Sequence, residues 1–134
     1  MASRVERQAV SVPIGPYRPI VRAGPWLICS GQLGLAPPTV PPDGPATLIE
    51  GGVVAQLRQA LANGAGLLRC EGADVTAVVK TTVFLTAMAD YAAVNEEYAA
   101  FFGDHRPARS VVAVAGLPMG ALVEVELWAY LDAT

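Results

Sequence analysis

The stretch Leu122-Val-Glu-Val-Glu-Leu-Trp-Ala-Tyr-Leu131 alternates, from Val123 to Tyr130, between aliphatic residues and carboxylates or large aromatics. Read as a strand, it sends Val123, Val125, Leu127 and Ala129 to one side of a sheet and Glu124, Glu126, Trp128 and Tyr130 to the other, because successive side chains of an extended chain point to opposite faces. The first side is a core face. The second mixes carboxylates with large aromatics, a composition that suits a subunit interface with a wet site in it better than a plain solvated surface.

Working backwards, Gly116-Leu-Pro-Met-Gly120 joins this strand to another from Arg109 to Ala115. Before that, Tyr91, Val94, Tyr98, Phe101 and Phe102 form the apolar stripe of a helix, with Asp90 as its expected N-cap and Gly103 as its stop. Asp74 to Thr86 ends in the β-branched run Val78-Val-Lys-Thr-Thr-Val-Phe-Leu-Thr86, a long central strand. Val54, Leu57, Leu61, Ala65 and Leu68 recur at spacings of three and four, which predicts an earlier amphipathic helix with Gln56, Arg58, Gln59, Asn63 and Arg69 mainly on its other side. Gly64 and Gly66 predict fraying or close packing in its last turns. Five prolines crowd the loop from Ala36 to Thr47, which is longer than typical connections and is expected to be exposed. Trp26 to Ser30 and Pro19 to Arg22 form a hairpin around Ala23-Gly24-Pro25; Val12 to Tyr17 is an ordered loop, and Val5 to Val10 a first short strand.

The expected architecture is α+β, a single domain over residues 1–134 with one mixed six-stranded sheet and two helices packed on one face. Two helices cover one side of such a sheet and leave the other in need of a partner. Composition agrees: hydrophobic residues make up 53% and charged residues 16% of the chain, little polar surface for a monomer to show. Nine Lys plus Arg against twelve Asp plus Glu leave no basic surplus for phosphates, which argues against a nucleic-acid partner. No apolar run is long enough for a bilayer and no signal segment is evident, so a cytosolic protein with no membrane partner is expected. Cys29 and Cys70 lack the spacing of a metal or redox pair.

Three residues could carry chemistry. Arg109 opens an otherwise apolar strand, where its fork could hold a carboxylate; an ordinary strand-end arginine in solvent accounts for the same spacing. Glu124 sits where an interface would desolvate it and suit it to proton transfer, although a surface glutamate alternating with Glu126 gives the same pattern. Asn95 falls between Tyr91, Tyr98 and Phe102 in the helix stripe and needs hydrogen-bond partners there, as a tie between helix and loop in preference to a substrate contact. The lone His105 beside Asp104 and Arg106 reads as solvent-exposed rather than as a metal ligand. No phosphate loop, nucleophile elbow or metal cluster is present, and residue reasoning alone stops at an oligomeric small-molecule binder.

Four segments together resemble the RidA/YjgF family: Ile14-Gly-Pro-Tyr17; Ser30-Gly-Gln32; Lys80 to Thr86 with Tyr91-Ala-Ala-Val-Asn95; and Pro107-Ala-Arg-Ser110 followed by Leu117 to Glu124. The resemblance implies a chorismate-mutase-like (YjgF-like) fold and a homotrimer with clefts between subunits. It also implies cofactor-free hydrolysis of reactive enamines and imines, such as 2-aminoacrylate and 2-iminopropanoate, to 2-keto acid and ammonia. Under it, Arg109 grips the substrate carboxylate, Glu124 positions or activates water, Tyr17 and Ser30 supply pocket hydroxyls, and Gly31 lets the backbone approach the ligand. Arg18 after Tyr17, Val111, and the long 36–47 loop depart from the family pattern and leave open a pathway-specific imine. A trimer that binds a 2-keto acid without turnover is the alternative, and ribonuclease activity, ascribed to some relatives, sits poorly with the acidic composition.

Overall fold

The computed structural model describes residues 13–37 and 45–132. Five strands among them form one mixed sheet: β1 (Ile20–Ala23), β2 (Trp26–Leu33), β3 (Val78–Leu85), β4 (Ala108–Ala113) and β5 (Val123–Tyr130), in the order β1-β2-β5-β3-β4. The expected sixth strand, Val5 to Val10, lies outside the described residues, so the sheet described has five strands rather than six. Helices α1 (Gly52–Cys70) and α2 (Tyr91–Phe102) complete the fold.

Connectivity explains why both helices share one face. Strands β3 and β4 are parallel, and β2 and β3 each run antiparallel to the β5 strand between them, so β2, β3 and β4 point the same way. The links β2-α1-β3 and β3-α2-β4 step in one direction across the sheet, and crossovers of one hand then place their helices on one side. There Leu57, Leu61, Leu68, Val94, Tyr98 and Phe102 meet Leu27, Cys29, Val83, Leu85, Val125 and Leu127 in a single core. Burial alternates along β5 as its sequence predicts, with Val123, Val125, Leu127 and Ala129 at 1% exposure or less. The opposite face is open, and Trp26, Trp128 and Tyr130 stand on it as an edge-to-face group with centroids 5.2–6.0 Å apart.

Several local expectations need correction. Of the two readings of the last turns of α1, fraying and close packing, it is close packing that holds at Gly64: a Cβ there would come within 2.3 Å of Leu127 Cδ1, so the glycine lets helix and sheet touch. Gln56 and Asn63, expected on the polar side of α1, are buried. Gln56 Oε1 accepts the Leu122 amide, and Asn63 Nδ2 donates to the carbonyls of Leu33 and Leu35, satisfying backbone groups where strands end. Asp90 closes a 3₁₀ turn (Met88–Asp90) in helical geometry and makes no capping bond, whereas Gly103, at φ 63°, does end α2. His105 is tied down rather than solvated, its Nε2 2.7 Å from the Val78 carbonyl. Ala36 donates to the Thr47 carbonyl and Leu35 bridges Leu48, so the described ends of the proline-rich loop are pinned together.

Candidate functional site

On the open face, a β-bulge shapes the first half of the site. Cys29 pairs with Leu127 and Gln32 with Val125, so Ser30 and Gly31 together oppose Glu126 alone. A bulge disrupts alternation and re-aims side chains; Cys29 and Gln32 both face the core, and the two residues between them line one cleft. That cleft, of about 520 Å³, is bounded by Tyr17, Ser30, Gly31, Leu33, Pro118, Glu124 and Glu126, with Ile14 and Gly15 at its edge. Its volume suits a small organic ligand.

Gly31 lines the cleft and also makes room within the chain. A Cβ at this position would lie 2.7 Å from both Cδ and Oε1 of Glu124. The missing side chain makes room for the carboxyl group, which rests against the β2 backbone. Burial, and after it the like charge of Glu126, pushes the Glu124 carboxyl above the ordinary glutamate range. Ser30 Oγ donates to the Arg18 carbonyl at 2.7 Å and the Ser30 amide to the Pro19 carbonyl at 2.9 Å, fastening the entry loop to β2. The Ser30 hydroxyl therefore keeps only its lone pairs for a ligand. The Tyr17 hydroxyl accepts the Ile14 amide at 3.4 Å and retains its proton to give.

Arg109 and Asn95 lie elsewhere. Arg109 pairs with Thr81, whose buried hydroxyl bonds Tyr98 of α2 at 2.7 Å, so Arg109 belongs to the helix side of β4. Glu124 pairs with Phe84 on the open side. Within one chain these two side chains face opposite sides of the sheet. Arg109 sits at the edge strand, its guanidinium carbon 4.8 Å from the Tyr98 ring centroid and 5.7 Å from that of Tyr91, with Nη2 donating to the Tyr91 hydroxyl at 3.3 Å. Asn95 is between those tyrosines on the same helical stripe, and its Oδ1 is buried with no hydrogen-bond partner.

Sequence reasoning missed the two tyrosines as neighbours of Arg109, and Glu126 and Pro118 as cleft residues. Tyr91 and Tyr98 were legible as one stripe, but only the parallel β3–β4 register aligns that stripe with Arg109. Cys29 is buried, its thiol pushed up to about 12, and it faces the core rather than the cleft. No group of three or more His, Cys, Asp or Glu side chains able to hold a metal ion occurs among the described residues, and none of their helices is long and apolar enough to cross a membrane.

A carboxyl-bearing cleft and an aromatic-clamped arginine on a small mixed sheet define the class of protein, and comparison with known proteins agrees. Residues 7–131 match the family described as Endoribonuclease L-PSP. The chain is similar to the mouse 2-iminobutanoate/2-iminopropanoate deaminase, 42% identical over 113 residues, 84% of this chain and 79% of the relative. Among solved structures, the YjgF gene product of E. coli superimposes with a TM-score of 0.80 at 38% identity, over 93% of this chain and 95% of that one. E. coli TdcF with bound serine gives 0.81 at 34%, over 93% and 95%. The chain belongs to the Endoribonuclease L-PSP family, that of the YjgF/RidA proteins.

Proposed function

We propose that this chain is an enamine/imine deaminase: a homotrimer in which the Arg109 edge of one subunit closes the Glu124 cleft of the next, in a chorismate-mutase-like assembly. The observation that carries the reading is the cleft itself, where Gly31 seats a half-buried Glu124 carboxyl, with its proton affinity raised, beside Tyr17 and Ser30. The exposed aromatics Trp26, Trp128 and Tyr130 on the open face support association. Relatives named imine deaminases support the chemistry, and serine in TdcF supports a small carboxylate-bearing ligand.

The reaction asks little of the protein. A 2-aminoacrylate tautomerises to 2-iminopropanoate, whose C=N carbon is already electrophilic. Arg109 holds the carboxylate with its planar fork. Glu124 takes a proton from water as the water oxygen bonds to the imine carbon, and hands that proton to the nitrogen, which regenerates the carboxylate. The resulting carbinolamine loses ammonia as C=O forms, so imine and water become 2-keto acid and ammonia. Positioning and one proton relay suffice, and no step calls for a metal or cofactor.

The test is ammonia release from freshly generated 2-iminopropanoate. Release faster than the spontaneous rate, lost in Arg109→Ala while the oligomer persists, is expected. Release equal to the spontaneous rate, with pyruvate still bound, would instead make the protein a 2-keto-acid-binding trimer.

A further inference from the structure

Arg109 is held by two aromatic residues that differ in kind. Tyr98 is a fixed floor: it is 6% exposed, it packs on Phe102, and its hydroxyl is tied to the buried Thr81. Tyr91 is 40% exposed and contributes little to the core, yet its hydroxyl accepts a hydrogen bond from Arg109 Nη2 and its ring flanks the same guanidinium. A free arginine side chain samples many rotamers, and ordering it on ligand binding weakens affinity. A guanidinium has five N–H donors, so one can be given to a phenol while a pair remains for a carboxylate.

We propose that Tyr91 is a positioning residue for the anion anchor. Its hydroxyl fixes the rotation of the Arg109 fork over the Tyr98 ring, so that the paired N–H groups point away from α2 toward an incoming carboxylate before it arrives. This rests on the reading of Arg109 as the carboxylate anchor. The effect falls on binding, because the carboxylate is gripped alike in the ground state and in the transition state.

Tyr91→Phe removes the acceptor and keeps the ring; Tyr91→Ala removes both. Steady-state hydrolysis of 2-iminopropanoate and calorimetric titration with pyruvate read the outcome. Tyr91→Phe should raise KM, and the Kd for pyruvate, by about three- to tenfold. Its kcat should stay within about twofold and its melting temperature should not move. Tyr91→Ala should raise both constants further. A lowered melting temperature with KM and Kd unchanged in Tyr91→Phe would make Tyr91 structural and overturn the proposal. Arg109→Ala separates the two ideas. If it abolishes pyruvate binding while Tyr91→Phe leaves binding intact, the positioning role alone fails; if it leaves binding intact, the anchor reading fails and the positioning role with it.

Discussion

Gly31 and Glu124 occupy the same space: the position a Cβ would take on Gly31 is 2.7 Å from the Glu124 carboxyl carbon. The backbone of Glu124 is fixed by Val123 and Val125 in the core, so the clash falls on the flexible end of its side chain, which must swing into the cleft. Gly31→Ala should therefore fold and displace the carboxyl group. Ammonia release should fall by about tenfold or more, as expected when a proton-transfer group is moved off its place. Full activity in this variant would show that the Glu124 position is not critical.

Glu126 lies in the same cleft and its charge adds to burial in raising the Glu124 carboxyl. In the proposed mechanism Glu124 acts as a base when ionised, so kcat/KM should rise with pH through its raised folded-state value. Glu126→Gln removes the like charge, and the acid limb of the pH–rate profile should move to lower pH, modestly, since desolvation is the larger cause. The sign for stability is the opposite of that for a salt-bridged carboxylate. Because the folded state holds the Glu124 proton more tightly than the unfolded chain, its contribution is present at low pH and is lost as pH rises through the folded-state value. Glu124→Gln should flatten that part of the stability profile, read by thermal melts across pH.

Arg109 and Glu124 face opposite sides of one sheet, so a site using both needs two chains. Arg109→Ala and Glu124→Gln should each be inactive alone, and co-assembly of the two should restore activity. With random mixing in a cyclic trimer, about a quarter of the clefts would carry both native residues. No recovery in verified mixed trimers would confine catalysis to one chain and exclude the shared site.

Gly64→Ala tests the packing of α1 on the sheet. Alanine favours a helix over glycine by about 1 kcal/mol, but its Cβ would stand 2.3 Å from Leu127 Cδ1 in a filled core. Overpacking of this kind costs about 1–3 kcal/mol, so the net effect should be destabilising and the melting temperature should fall by several degrees. A stabilised variant would show that Leu127 can move aside freely.

Much of the fold was legible because burial imposes periodicity. The alternation of Leu122 to Leu131, the stripe from Tyr91 to Phe102 and the β-branched run ending at Thr86 each announce an element and its buried face. Boundaries and exceptions were less legible. Gln56 and Asn63 read as polar surface, yet they are buried because Leu122, Leu33 and Leu35 need partners for their backbone groups at the ends of strands. A regular strand would send Ser30 and Gly31 to opposite faces, yet a bulge turns both into one cleft.

The chemistry divides in the same way. Residue patterning draws attention to Arg109, Glu124 and Asn95 without separating them from ordinary structural roles, and the resemblance to the family adds Tyr17 and Ser30. Their grouping is not local. Strand register, which is set by packing between segments far apart in the chain, seats Glu124 against Gly31 on the open face and sends Arg109 to the helix side between Tyr91 and Tyr98. A shift of one residue in either pairing would reverse those faces, and only the closed core of the folded sheet determines which register holds.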